Sequence, residues 1–142
     1  METKKIGERI GRKLEGGELV ELTGDLGTGK TVFIKGLAKG LGIAQPISSP
    51  TFTISRVYEV KGKSFHHFDF YRIDSGDIVA MEIAEATTDP DAIVVVEWAE
   101  HIKEALPNDF LAIKLRRLSE AEREIIIEPH GPQYRKLVEG LA

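Results

Sequence analysis

The chain has 142 residues, enough for one domain with a hydrophobic core and too few for two domains of ordinary size. Its 42% hydrophobic and 30% charged residues are typical of a soluble globular protein. No apolar run approaches the roughly 20 residues of a membrane helix. The charged N-terminus lacks the apolar core of a secretion signal, which favours a cytoplasmic location. The lack of cysteine excludes disulfides and thiolate metal sites. A net charge of −4, with acids and bases interleaved along the chain, predicts indirect contact with nucleic acid; a local basic patch is the alternative.

The first predicted element is a peripheral helix at about 3–14, where apolar side chains recur at helical spacing. Residues 18–23 alternate apolar with polar side chains, which predicts a strand. Residues 32–41 then form a second predicted helix, and Gly42 supplies its stop signal.

Between that strand and that helix lies a glycine-rich loop. The segment Gly24-Asp25-Leu26-Gly27-Thr28-Gly29-Lys30-Thr31 fills every fixed position of the pattern G-x-x-x-x-G-K-[ST], the phosphate-binding loop of P-loop nucleotidases. Glycines allow successive backbone N–H groups to surround a polyphosphate, the lysine reaches the β- and γ-phosphates, and the threonine hydroxyl ligates Mg²⁺. The pattern predicts a nucleotide and Mg²⁺ as ligands, with a glycine-rich turn that binds nothing as the alternative. The predicted nucleotide-binding residues in this segment and just after it are Gly27, Thr28, Gly29, Lys30, Thr31 and Val32.

The second half of the chain continues with mixed elements. Residues 51–73 are rich in β-branched and aromatic side chains and predict a β-hairpin with a three-residue turn at 61–63. The remaining predicted elements are a helix at about 77–85, a doubly buried strand at 92–96, a helix at 99–106, strands at about 109–117 and 122–128, and a C-terminal helix at about 132–141. The order predicts a single α/β domain over 1–142, a P-loop NTPase-like three-layer sandwich with a mixed parallel and antiparallel sheet.

Two acidic residues are candidates for the chemistry that a phosphate cradle alone does not provide. Glu97 closes the buried apolar strand, where the second magnesium ligand of P-loop enzymes sits, so it is a candidate metal ligand; the alternative is a surface glutamate. Asp69 shares one face of its strand with His67 and Tyr71, which makes it a candidate catalytic carboxylate. The alternative is that this polar face is exposed to solvent.

Two further candidates flank these elements. Thr51 ends the segment 48–51, at the place where switch loops approach the γ-phosphate, and an ordinary strand start explains it equally well. Trp98 follows Glu97 directly and is either a core aromatic residue or part of the site.

Taken together, these motifs resemble those of the bacterial TsaE family, formerly called YjeE. The resemblance covers residues 3 to about 128. Its elements are the phosphate-binding loop, then Ser49-Pro50-Thr51-Phe52, His67-Phe68-Asp69-Phe70-Tyr71-Arg72 and Glu97-Trp98, in this order. The last three elements are far more diagnostic than the loop, which thousands of proteins share.

The resemblance implies a slow ATPase required for threonylcarbamoylation of the adenosine next to the anticodon of tRNA. In the family, TsaE acts with the TsaB–TsaD pair and allows multiple turnovers. The implied site residues are Lys30, Asp69, Glu97 and Thr51 as catalytic groups, Thr31 and Glu97 as metal ligands, and Thr3 and Trp98 near the nucleotide. The family commonly has alanine at position 28 and a second threonine at position 32, where this chain has Thr28 and Val32.

Two other functions remain open from the sequence. A small-molecule kinase shares the phosphate-binding loop, although no arginine-rich lid segment stands out between the elements. A non-catalytic subunit that uses ATP as a structural ligand is the second alternative. The sequence does not fix the oligomeric state.

Overall fold

The structure is a computed structural model and describes residues 2–24, 28–47, 55–69, 77–97 and 106–141. No helix in these ranges has both the length and the apolar character needed to cross a membrane. The elements in chain order are α1 (Glu2–Lys13), β1 (Leu19–Thr23), α2 (Lys30–Leu41), β2 (Ser55–Val60), β3 (Lys63–Asp69), α3 (Asp77–Thr88), β4 (Ala92–Glu97), β5 (Phe110–Arg117), β6 (Arg123–His130) and α4 (Pro132–Glu139).

The six strands form one sheet in the order β2-β3-β4-β1-β5-β6. The four inner strands β3, β4, β1 and β5 are parallel to one another, whereas β2 and β6 pair antiparallel at the two edges. The sheet is therefore mixed, as the sequence predicts. All four inner strands end at the same edge, where ligands bind in open α/β sheets.

Hydrophobic clusters lie on both faces of the sheet. One joins α1, α2 and α4 to side chains of β1, β3, β4 and β5, with Phe33 and Phe65 among its fully buried members. The other lies between the sheet and α3 and includes Phe68 and Ile83. Helices thus cover both faces, so the prediction of an α/β three-layer sandwich is confirmed.

The helices α1 and α2 contact each other through their backbones. A Cβ atom added at Gly36 would lie 2.2 Å from the carbonyl oxygen of Lys4, and one added at Gly11 would lie 2.3 Å from that of Leu37. Real Cβ atoms do not approach an oxygen so closely, so only glycine fits at these two positions. The close packing places α1 directly against the helix that follows the phosphate-binding loop.

Several predicted boundaries differ from the structure, and the C-terminal helix predicted to reach about 141 ends at Glu139. The predicted three-residue turn at 61–63 is wrong: Val60 pairs with Lys63, so Lys61 and Gly62 alone form the turn, with φ of 51° and 80°. Positive φ at both positions matches the twist of a two-residue hairpin turn. The strand predicted at 122–128 extends to His130 through Pro129, which an edge strand tolerates because its outer N–H groups need no partner.

The helix predicted at about 77–85 continues to Thr88. The helix predicted at 99–106 lies outside the described residues except for its last position, and so do the ends of the predicted hairpin at 51–54 and 70–73.

Candidate functional site

The phosphate-binding loop runs from the end of β1 into the first turn of α2. Gly29 caps the helix with φ of 101°, a left-handed conformation that favours glycine, and its carbonyl oxygen accepts the N–H of Phe33 at 2.9 Å. At the start of the loop, a Cβ added at Gly24 would lie 2.7 Å from Oγ1 of Thr28 and 2.9 Å from the carbonyl oxygen of Leu115. Glycine at position 24 therefore allows the main chain to lie close to both Thr28 and β5 at this point.

The polar side chains of the loop occupy the N-terminal end of α2. Lys30 is the first residue of the helix and only 8% exposed, and Thr28 is also buried, whereas Thr31 is exposed and Val32 is half-buried. This places Lys30 where the phosphate-binding pattern requires its lysine, in the first turn of the helix that follows the loop. Gly27 lies outside the described residues.

The N-terminal end of α1 reaches the same place. The side chain of Thr3 is 7% exposed, and its Cγ2 atom lies 3.6 Å from where a Cβ of Gly29 would be. The structure therefore brings Thr3 to the helix cap of the phosphate-binding loop, although it is 26 positions away along the sequence.

Both candidate carboxylates lie at the carboxyl edge of the sheet. Asp69 ends β3 and Glu97 ends β4, and the two are register partners across these parallel strands. Glu97 is also the register partner of Leu22 in β1, two residues before the loop begins. By strand alternation, Asp69 and Glu97 are on the face that includes Phe65 and Val95, which α2 covers.

The Glu97 carboxylate is held by a buried histidine. Its Oε2 atom lies 2.5 Å from Nε2 of His67, and the two side chains are 5% and 1% exposed. The other ring nitrogen, Nδ1 of His67, has no hydrogen-bond partner in the described ranges. An ionised carboxylate oxygen accepts and does not donate hydrogen bonds, so Nε2 of His67 carries an N–H and donates it to Glu97. The solvent-facing alternative for this strand face is wrong at His67.

The described ranges contain no group of three or more His, Asp or Glu side chains that could hold a metal ion. This is compatible with Mg²⁺ chemistry, because Mg²⁺ is bound through one or two protein oxygens together with nucleotide phosphates and water. A hydroxyl at Thr31 and a carboxylate at Glu97 are hard oxygen donors of the required kind. Asp69 is half-buried beside Glu97. Thr51 and Trp98 lie outside the described residues.

Comparison with known proteins gives a family match. The family model described as "Threonylcarbamoyl adenosine biosynthesis protein TsaE" matches residues 1–125. The chain belongs to the TsaE family. A TsaE protein from Bacillus subtilis (strain 168) is 38% identical over 99% of this chain and 88% of its own length, and one from Treponema pallidum is 42% identical over 89% and 93%. Both carry the name tRNA threonylcarbamoyladenosine biosynthesis protein TsaE.

A solved structure shares the fold. The crystal structure of YdiB from Bacillus subtilis superposes with a TM-score of 0.82 at 35% identity, covering 99% of this chain and 86% of that one. The TsaE resemblance inferred from the motifs is therefore confirmed by sequence and by structure.

Sequence reasoning missed the contact between His67 and Glu97 in this TsaE protein. Its only signal is a histidine two positions before Asp69, on the same face of the strand. Pairing it with Glu97 requires knowing that β3 and β4 are parallel neighbours and in which register, and a single sequence does not give either.

Proposed function

We propose that this protein is an ATP-hydrolysing subunit of tRNA threonylcarbamoyladenosine biosynthesis. The observation that carries the proposal is the convergence of three features at one edge of the sheet: the phosphate-binding loop at the start of α2, and the carboxylates of Asp69 and Glu97 at the ends of β3 and β4. Such a site combines a polyphosphate cradle with acidic groups for a metal and for water. The names of the TsaE relatives supply the pathway.

In this proposal, the loop binds the triphosphate of ATP. Backbone N–H groups at Thr28 and Gly29 donate to phosphate oxygens, and the helix dipole of α2 adds positive potential at the same point. The Lys30 ammonium neutralises the β- and γ-phosphates. Thr3 and Trp98 contact the remainder of the nucleotide, as the family resemblance implies.

Thr31 and Glu97 are the proposed ligands of Mg²⁺, which neutralises charge on the β- and γ-phosphates when bound. A carboxylate is an effective Mg²⁺ ligand only when the orientation of its oxygen atoms is fixed. The bond from His67 fixes one oxygen of Glu97 and leaves the other for the ligand role. His67 is thus a positioning residue, which acts on the site through Glu97.

Asp69 is the proposed group that orients the attacking water, because it is half-buried beside Glu97 at the same sheet edge. Thr51 is the proposed switch-loop residue. We propose further that the TsaB–TsaD pair binds this protein in the cytoplasm and accelerates an otherwise slow hydrolysis, since P-loop enzymes commonly gain transition-state groups from a partner.

Phosphate release by the full chain tests the proposal, measured with ATP and Mg²⁺ and with or without purified TsaB–TsaD. We expect slow turnover alone, faster turnover in the complex, and at least about a tenfold loss of ATP affinity in Lys30→Ala. Lys35→Ala is the matched control, because Lys35 lies on the same helix and is exposed.

Each alternative function predicts a different result. Phosphate transfer to a small acceptor rather than to water would identify a kinase. Tight ATP binding and complex formation without any phosphate release would identify a structural ligand. If calorimetry detects no binding of ATP in the presence of Mg²⁺, the proposal fails.

A further inference from the structure

Although the net charge of the chain is −4, the four described helices differ strongly in charge between the two faces of the sheet. On one face of the sheet, α3 contains three acidic residues and no lysine or arginine. On the other face, α1, α2 and α4, which are described throughout, contain ten basic residues and three acidic ones. Nine of these basic side chains are exposed, and their solvent-facing surface is called the basic face: Lys4, Lys5, Arg9, Arg12, Lys13, Lys35, Lys39, Arg135 and Lys136.

The three helices join this surface into one patch. Between α1 and α2, Glu8 lies 2.5 Å from Arg12 and 3.9 Å from Lys39, so the single acid there is already paired with two cations. Between α1 and α4, the Lys13 ammonium lies against Gly140, and Arg9 donates to the carbonyl oxygen of Leu141. The basic face therefore extends across all three helices, along about 18 Å of α1.

Helix stability alone does not account for these charges. Cations in the last turn of a helix are favoured by the dipole, which explains Arg12, Lys13 and Lys39. Lys4 and Lys5 are the third and fourth residues of α1, and Arg135 is the fourth of α4, where the dipole disfavours a cation. An external anion supplies a reason for cations in these places.

The composition of the face indicates which anion. The large apolar side chains that are exposed in the described ranges are Val57, Met81 and Leu118, and none of them belongs to these helices. A membrane-binding face requires an apolar side that inserts among lipids. A protein interface has an apolar centre in which charged residues are depleted. A face of lysine and arginine without an apolar centre matches a phosphodiester backbone, which is bound mainly through charge.

We propose that the basic face binds the phosphate backbone of tRNA directly. The choice of tRNA over other nucleic acids rests on the proposed function. This replaces the expectation from net charge that contact with tRNA is indirect. Because Thr3 lies at the helix cap of the phosphate-binding loop, the basic face begins one helical turn from the nucleotide site. The RNA and the nucleotide thus occupy neighbouring parts of the protein.

Filter binding of an unmodified tRNA transcript to the full chain tests this, at salt concentrations from 50 to about 200 mM. The test variant replaces Lys35, Lys39, Arg135 and Lys136 by Gln, all exposed and away from the loop. We expect binding at least about tenfold weaker than wild type at 100 mM salt, and a salt slope reduced by about 3 to 4.

A matched control variant has the same net charge as the test variant. It replaces four exposed cations outside the basic face by Gln, namely Arg56, Lys61, Lys114 and Arg116. We expect this variant to bind the transcript within about twofold of wild type. An equal loss in both variants would overturn the proposal in favour of a simple net-charge effect, and so would the absence of any binding at 50 mM salt.

Parallel probes separate the other polyanions. Tighter binding to a DNA duplex, to poly-glutamate or to phosphatidylserine vesicles than to the transcript would overturn the assignment to RNA. ATP affinity is measured on the same three preparations, and we expect it to be equal in all of them, which also establishes that the variants are folded. A wild-type protein that binds tRNA but not ATP would refute the proposed function and leave the RNA interface standing.

Discussion

Removing the His67 donor while keeping the volume of the side chain gives the sharpest test of the site. In His67→Leu, the Glu97 carboxylate stays nearly buried and loses a 2.5 Å hydrogen bond. Hydrogen bonds to charged groups contribute about 1.5–3 kcal/mol, so we expect the free energy of unfolding to fall by about that amount. If the same energy is lost from the arrangement that binds Mg²⁺ and ATP, phosphate release falls by roughly 10- to 100-fold.

Three measurements on each variant separate positioning from stability: urea unfolding, phosphate release, and the Mg²⁺ concentration that gives half-maximal release. His67→Gln offers an amide N–H near the position of Nε2, and we expect it to restore most of the release rate. His66→Leu is the matched control, because His66 lies on the opposite strand face and its Nε2 contacts Ser64 at 2.9 Å. Unchanged release and an unchanged Mg²⁺ midpoint in His67→Leu would refute the positioning role.

Two further predictions concern the packing that supports the site. In Gly36→Ala, the new Cβ would lie 2.2 Å from the Lys4 carbonyl oxygen, so α1 and α2 must separate. We expect the free energy of unfolding, measured in urea, to fall by about 1–3 kcal/mol. A gain in stability would contradict the close contact. In Tyr134→Phe, the Leu19 N–H loses its 2.8 Å partner, and we expect a loss of about 1–2 kcal/mol. Burial raises the pKa of Tyr134 above 10.0, so its unfolded form releases the proton first, and wild-type stability falls as the pH rises above 10. Tyr134→Phe has no phenol to titrate, so its free energy of unfolding should fall less than that of wild type as the pH rises above 10. Urea unfolding at a series of pH values measures this difference, and an equal fall in both proteins would contradict the prediction.

Local sequence patterns predicted most of the architecture. The phosphate-binding loop was identified from four fixed or chemically restricted positions, and the apolar run of β4 indicated a strand buried on both faces, which the structure confirms. The hairpin predicted at 51–73 indicated an antiparallel pair in a mixed sheet, which β2 and β3 confirm. These features depend on residues that are close in sequence, and periodicity is sufficient for them.

Features that depend on spatial neighbours were not predicted. The hairpin turn was placed one residue too long, because Lys63 has no local property that separates a turn residue from the first residue of a strand. The contact of His67 with Glu97 depends on strand order and register. The basic face was missed because acids and bases alternate along the chain, and only the packing of each helix decides which side of the sheet receives its charges.

The glycine contact between α1 and α2 has a mechanical consequence. Side chains between two helices normally absorb sub-ångström shifts by changing rotamers, but at Gly11 and Gly36 one main chain rests on the other. A displacement of either helix at these points is therefore passed to its neighbour undiminished. We therefore expect the N-terminal helix, with the charges it carries, to follow any shift of α2 that nucleotide binding produces.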